Sequence, residues 1–516
     1  MYDSIIIGCG ISGLYLGNKL SSIGHKIILF DQRERIGGRI ISIKDINNNT
    51  YDVGAVKIPS DQIRINRLIK KLNLNNNKLL INDNFKYNNH SKSYYKNNLI
   101  NLFDKIKNKD IKTNSKSVLQ LSEELFDNNF SEKLVNMSGY NGNFEKLNFN
   151  GFIKYTGDIN RKYYILKDGL TQICNKLVEN EKLDIHLKSK LVSYTYDYNK
   201  KIFNIKIERN NKIQHFKSYN LILAIPKKNL KKIFCNNKFN EINLVKNTNI
   251  SEQKYILPLL DTVKTNNYMR IFATYPKINN KIWFKNLGDI HTSGFLRKAS
   301  PYNSDTGIMQ ISYTDNRYAD IWKNILLDNK KSILHQNNIY NIIHKNLSKL
   351  YKKKIPNPLQ YSCHYWAHGT HYWLPNVNIN DVHNNLIKPF DYRLYICGEA
   401  YSNYQSWMEG ALETADKVYQ KILKKDNRYI NKISTKKLHK YYSLKDVEKH
   451  NTKNDAWLIY NDNVYNVTSF IHKHPGSNAI LKGIGKDSTE LFDNVGHSNN
   501  ARYMMKKYYI GKYKKI

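Results

Sequence analysis

Three glycines, Gly8, Gly10 and Gly13, stand between the apolar run SIII at 4–7 and a segment of helical apolar spacing. Glycines at that spacing allow a tight turn, a close approach of backbone to a pyrophosphate and tight packing of helix on strand, with phosphate charge meeting the helix N-terminus. Ile11 and Ser12 carry the first N–H groups of that helix, and Asp31, at the end of the second apolar run KIILF at 26–30, offers a carboxylate to ribose hydroxyls. Gly37 and Gly38 permit a second backbone approach to phosphate, and Arg39 adds a fixed positive charge. Near the other end, His474 precedes Pro475 and Gly476, and His497 follows Val495 and Gly496, 23 residues on. Neutral imidazoles are the commonest side-chain ligands of metals, so the two histidines are candidates for one metal site.

These residues need particular elements to hold them. A strand at 5–7, a helix from about Ser12 to Ser22 and a strand at 26–30 form the unit that opens a doubly wound α/β fold. Residues 61–150 turn polar and asparagine-rich with helical patches, which reads as a helical insertion or cap. Strand-like text returns at 184–224, aromatic strands fill 250–387, and LYICGEA at 394–400 comes back to the first fold. The expected division is a region at 1–425, a polar linker at 426–437 and a compact unit at 438–516. Within the first region, dinucleotide-binding segments are expected at about 1–60, 165–250 and 388–425, with substrate and helical segments at about 61–164 and 251–387.

The chain of 516 residues carries a formal net charge of +39. That admits nucleic acid as a partner, but the lysines are scattered rather than gathered on one helix, and no nucleic-acid-binding motif accompanies them. Abundant Lys, Asn, Ile and Tyr suit an AT-rich genome such as that of a large DNA virus or a protist. Five cysteines at 9, 174, 235, 363 and 397 show no paired spacing, which argues against a disulfide framework or zinc site. No basic-then-apolar leader precedes the first strand, and no apolar run approaches membrane-spanning length. A cytoplasmic chain without a membrane span is expected, in the host cytoplasm or the virion if its source is viral.

With RERIGGRI after Asp31, the chain resembles the flavin-containing amine oxidase family over about its first 420 residues. YDVGAVKIP at 51–59, KDGLTQICNKL at 167–177, LILAIP at 221–226, RIFATYP at 270–276 and LYICGEAYSNYQSWMEGALETA at 394–415 carry the resemblance. It implies an α/β Rossmann-like FAD-binding domain and an α+β substrate domain. It also implies cofactor contacts from Gly398, Glu399 and Met408, with Val192 on the adenine side. Covalent attachment in the family uses a cysteine where this chain reads WAHGTHYWLP, with His371 at that place, so non-covalent FAD is implied. Trp407 takes the position of the family's ring-facing aromatic, and Tyr372 or Trp373 is the candidate for an opposing wall that would confine an amine.

Two departures bear on the chemistry. GAVKIP most resembles the L-amino acid oxidase branch, in which an arginine binds the substrate carboxylate; here Lys57 stands there, keeping charge but losing the bidentate fork, unless it is an ordinary surface lysine. The family's lysine beside flavin N5 is replaced by Arg270, which does not readily shuttle protons. Its fixed charge suits reduced, anionic flavin, or else a structural ion pair.

Residues 438–516 resemble cytochrome b5, a small α+β haem-binding domain, through AWLIYNDNVYNVTSFIHKHPGSNAIL and GKDSTELFDNVGHS. The resemblance implies haem b ligated by His474 and His497, walled by Phe470, Leu481, Phe492 and Val495, with His472 at the surface. The expected activity is FAD-dependent oxidation of an amine or L-amino acid to an imine, with electrons passing to O2 or to the fused haem. Polyamine oxidation and a desaturase-type reaction are the alternatives within that chemistry. A basic structural or packaging protein retaining cofactor folds is the alternative outside it.

Overall fold

The computed structural model describes residues 1–81, 83–108, 115–157, 160–235, 251–327, 333–425, 440–495, 497, 501 and 504–514. The expected linker at 426–437 lies outside the described residues. The chain divides into two compact units, Met1–Ile422 and Leu423–Ile516.

In the first unit the apolar strand Tyr2–Ile7 lies between Ile27–Phe30 and Lys212–Leu223, parallel to both. A strand buried on both faces has no polar side to show, which is why SIII does not alternate. Ile185–His186 extends the sheet in parallel, Leu394–Ile396 pairs in parallel with Lys212–Leu223, and Ile202–Arg209 and Ser189–Asp197 continue it antiparallel. Helix Ile11–Ser21 follows the first strand and shares one apolar core with helices Thr171–Glu181 and Met408–Lys425 through Leu14, Leu20, Ile173, Leu177, Leu412 and Val418. Segments far apart in sequence thereby close around one glycine turn.

A second sheet pairs the long strands Val263–Thr274 and Gln360–Trp373, with Arg270 opposite His364, and continues through Ile308–Asp315, Lys298–Asn303 and Asp289–His291 to two short strands at 85–91. The insertion expected at 61–150 holds helices, but also short strands such as Lys78–Leu80 and Phe85–Tyr87. Its helices start where the sequence supplies caps: Ser117 and Gln120 form a reciprocal capping box, and Asp127 and Asn148 each accept from the N–H three residues on.

The second unit is built on a five-stranded sheet ordered Lys440–Tyr442, Tyr509–Tyr513, Asn463–Asn466, Asp455–Tyr460, Asn451–Thr452. Short helical turns Thr468–Lys473 and Ser477–Gly483 and helix Thr489–Asn494 pack near it.

Candidate functional site

One cavity of about 1430 Å³ runs through the first unit. That exceeds the roughly 300–1,000 Å³ of an ordinary small-molecule pocket, so it has room for a dinucleotide together with a substrate. At one end the wall is backbone. Gly8 takes φ +109°, and a Cβ there would come within 2.4 Å of the Ala224 carbonyl oxygen; Gly38 lies so close to Gly10 that its Cβ would sit 3.1 Å from the Gly10 Cα. Gly10 precedes helix Ile11–Ser21 in extended conformation and makes no side-chain cap bond, leaving the first-turn N–H groups to a ligand. Asp31 is held at the wall by accepting from the Cys9 N–H at 2.8 Å and the Arg33 N–H at 2.9 Å.

Of the expected cofactor residues, Gly8, Gly10, Ile11, Ser12, Asp31, Gly38, Arg39, Val192, Gly398, Glu399 and Met408 line this cavity. Val192 does so at a register slip between Leu191 and Ser193, a bulge of the kind that re-aims a side chain. Gly13 does not line it. A Cβ there would sit 2.0 Å from the Gly8 carbonyl oxygen, so Gly13 serves the close packing of helix on strand.

Arg39 and Glu399 are coupled. The Arg39 guanidinium donates to Glu399 Oε1 and to the Gly369 carbonyl, each at 2.9 Å, and the His371 Nδ1 lies 2.8 Å from Glu399 Oε2. Burial would raise the Glu399 carboxyl, but the Arg39 charge and then His371 overcome it and hold Glu399 at about 2. His371 is fully buried and absent from the cavity wall, whereas Cys363 is part of that wall.

The opposite end is aromatic and cationic. The Trp407 ring stacks on Tyr163 at 6.3 Å, with the Arg161 guanidinium 4.9 Å over it, and its indole N–H donates to the Tyr155 carbonyl at 3.3 Å. Lys57 is not a surface lysine: it is half-buried at the cavity wall with its ammonium 5.0 Å over Tyr163. Burial, then the charge of Lys298, pushes it down to about 7. Arg270 also lines the cavity but forms no ion pair among the described residues; it donates to the carbonyls of Asp52 at 3.3 Å and Gly54 at 2.9 Å and lies 4.3 Å over Tyr313. That rigid placement fits a fixed charge.

Tyr372 and Trp373 do not form the opposing wall. Tyr372 is fully buried among the insertion helices, sharing 2.6 Å hydrogen bonds with the Tyr268 hydroxyl and Asn143, and Trp373 is pinned by Gln405 and the Ser402 carbonyl. Tyr268, one strand away, stands at the wall with Tyr140, Tyr155 and Tyr313. Those tyrosines, with Asp289 and Lys298, carry no sequence signature. Tyr268, Tyr313, Asp289 and Lys298 reach the cavity through strand pairing, Tyr155 from a helix and Tyr140 from a loop, none of which a linear motif records.

In the second unit the His474 and His497 rings lie 6.1 Å apart. Two imidazoles on opposite sides of one metal, each with a bond of about 2 Å, need a separation of that order. His497 Nδ1 sits 2.8 Å from the Phe492 carbonyl, which leaves its Nε2 to a metal, and the ring stacks on Phe492 at 4.0 Å. His474 Nδ1 is buried without a hydrogen-bond partner among the described residues. Phe470, Leu481 and Phe492 join the apolar cluster, but Val495, expected as a wall, is 73% exposed. His472 is exposed, as expected of a non-ligand.

Comparison with known proteins gives two family matches. The model of the flavin containing amine oxidoreductases covers residues 11–423, and that of the cytochrome b5-like heme/steroid binding domain covers 443–514. Cytochrome b5 of Drosophila melanogaster is 52% identical over 73 residues, 14% of this chain and 54% of its own length. Cytochrome b5 of Oryza sativa subsp. japonica is 51% identical over 73 residues, 14% of this chain and 53% of its own length. Cytochrome b5 type B of Rattus norvegicus is 46% identical over 72 residues, 14% of this chain and 49% of its own length. The chain thus spans about half the length of these curated relatives.

Proposed function

This chain belongs to the flavin-containing amine oxidoreductase family, and we propose that it oxidises an amine or L-amino acid to an imine, passing the electrons to O2 or to its own haem. Its cofactors are FAD and, in the cytochrome b5-like part, haem. We read the FAD segments as a Rossmann-like fold, keep the division at 1–425, 426–437 and 438–516, and take the FAD as non-covalent because His371 stands where the family's attachment cysteine would, a reading that Cys363 on the cavity wall puts to the test. Protein precipitated with acid is expected to release all its flavin into the supernatant. No described helix is long and apolar enough to cross a membrane.

The observation that carries this reading is that one continuous cavity is lined both by the glycine turns and by charged and aromatic side chains. When bound, FAD supplies the acceptor for the hydride removed from the carbon next to nitrogen. The chain's own residues do the rest. Arg39, held by Glu399, answers phosphate charge, and Asp31 takes the ribose hydroxyls. Trp407, backed by the Tyr163 ring, and Tyr155 exclude water and confine the carbon that reacts. Lys57 faces the substrate as a cation that gives up its proton near neutrality, and Arg270 holds a charge that cannot leave.

Anaerobic titration tests the reading. One substrate molecule yields two electrons, a flavin takes two and a haem one, so complete reduction of both requires about 1.5 equivalents of substrate per chain. An endpoint at about one equivalent, with the haem still oxidised, removes haem as an acceptor. A flavin that no amine or amino acid bleaches under argon removes the enzymatic reading altogether, and firm nucleic-acid binding by the same material supports the packaging alternative.

A further inference from the structure

We infer that a second cavity of the first unit, on the outer face of the antiparallel strands Ser189–Asp197, Ile202–Arg209 and Lys212–Leu223, binds a small condensed phosphate, free or carried on a small molecule. This site lies outside the flavin cavity and does not depend on amine oxidation.

The second cavity measures about 360 Å³, within the roughly 300–1,000 Å³ of an ordinary small-molecule pocket, and shares no lining residue with the large one. Strand register builds it. Ser193 and His215 lie on either side of Lys206, and Thr195 and Lys217 on either side of Asn204. Two rows of three polar residues thereby stand on one face of the sheet, and all six line the cavity. Between the rows, Tyr194 and Ile205 are each 1% exposed and belong with Phe216 to the apolar core, so they give the cavity a floor of backbone.

The positive charge of this face is unanswered. Thr195, Lys206, His215 and Lys217 are exposed, and among the described residues no hydrogen bond or ion pair engages any of the six side chains. No carboxylate lines the cavity. The acids that share the face are engaged already, Glu208 with Lys190 at 3.0 Å and Asp197 with the Lys200 N–H at 2.9 Å. Lys206 and Lys217 are diagonal neighbours on adjacent strands, about 7–8 Å apart at the backbone. One carboxylate brings a single charge to two such lysines, whereas linked phosphates bring charge on every link. The ammonium groups act as point charges, and the hydroxyl, amide and imidazole groups of Ser193, Thr195, Asn204 and His215 add directed hydrogen bonds.

Equilibrium dialysis against inorganic tripolyphosphate, at about 0.15 M salt to screen diffuse attraction, tests this on the full chain loaded with FAD and haem. Bound FAD keeps the probe out of the large cavity's phosphate end. One equivalent is expected to bind, at least about tenfold more weakly in a Lys206→Met, Lys217→Met double variant. Removing the same charge from an exposed helix end, by Lys70→Met with Lys71→Met, is expected to leave the affinity within about twofold. Asn204→Ala changes no charge and is expected to weaken binding at least about threefold, as loss of a hydrogen bond in a built site does. No binding at millimolar tripolyphosphate, full affinity in the Lys206, Lys217 variant or in Asn204→Ala, or an equal loss in the Lys70, Lys71 variant overturns the inference. Oligodeoxythymidylate that displaces tripolyphosphate and binds more tightly as it lengthens assigns the face to nucleic acid and overturns it as well.

Discussion

Replacing Glu399 with glutamine keeps the shape of the side chain and deletes the charge that positions Arg39. The structure sets the size of the effect. Glu399 is 5% exposed, and its carboxyl is lowered from 4.5 to about 2 although burial alone would raise it, because Arg39 and His371 flank it. A lowered folded value means that the stabilisation is complete above the unfolded value and is lost as pH falls through the folded one. At about 1.4 kcal/mol for each pH unit, the carboxylate contributes about 3 kcal/mol at pH 7, and the gap between the two proteins should shrink by about a third to a half at pH 3.5. Urea unfolding followed by tryptophan fluorescence measures this in the right part of the chain, since five of the six tryptophans lie before residue 423. Equal midpoints at pH 7, or a gap that does not change on acidification, would refute the view that Glu399 works as a charged anchor for Arg39.

Glu409 caps a helix in trans: its carboxylate accepts from the N–H groups of Arg64 and Ile65 and from the Arg64 guanidinium, all within 3.1 Å. Glu409→Ala is expected to destabilise the first unit by about 2–3 kcal/mol, read from the same urea midpoint, and an unchanged midpoint would show that this carboxylate does not hold the helix start. Arg270→Lys restores a titratable group where the family has one, and should raise the rate at which O2 reoxidises reduced flavin by at least about tenfold in rapid mixing; an unchanged rate means that this position does not govern oxygen reactivity. His474→Ala and His497→Ala should each abolish the Soret spectrum of a six-coordinate haem while leaving FAD content intact, and retention of that spectrum in either variant removes that histidine as a ligand.

What the sequence discloses about the fold is what local physics enforces. SIII and KIILF are buried parallel strands because an apolar run too short for a helix has few other uses. The short strands at 78–91 escaped notice in asparagine-rich text because they exist through pairing: Phe85–Tyr87 is a strand by virtue of Asp289–His291 beside it. Strand propensity follows from the partner more than from the residues themselves.

The site divides in the same way. Residues whose work is done by backbone are visible in advance, since Gly8 at φ +109° and Gly38 against Gly10 are positions where a side chain does not fit. Side chains whose work depends on a neighbour's charge are not. Lys57 is marked by resemblance as standing in an arginine's place, but its half-buried position beside Lys298 shows only in the fold, and Glu399 reads as a cofactor contact until Arg39 and His371 flank it. Tyr372 shows the converse. Its place in the motif order pointed to the substrate wall, but the fold packs its ring among the insertion helices, and its hydroxyl is shared with Tyr268, which does line the cavity. The packing of one ring against helices that carry no motif is invisible to resemblance and decisive for chemistry, because it takes Tyr372 out of the wall and leaves Tyr268 in its place.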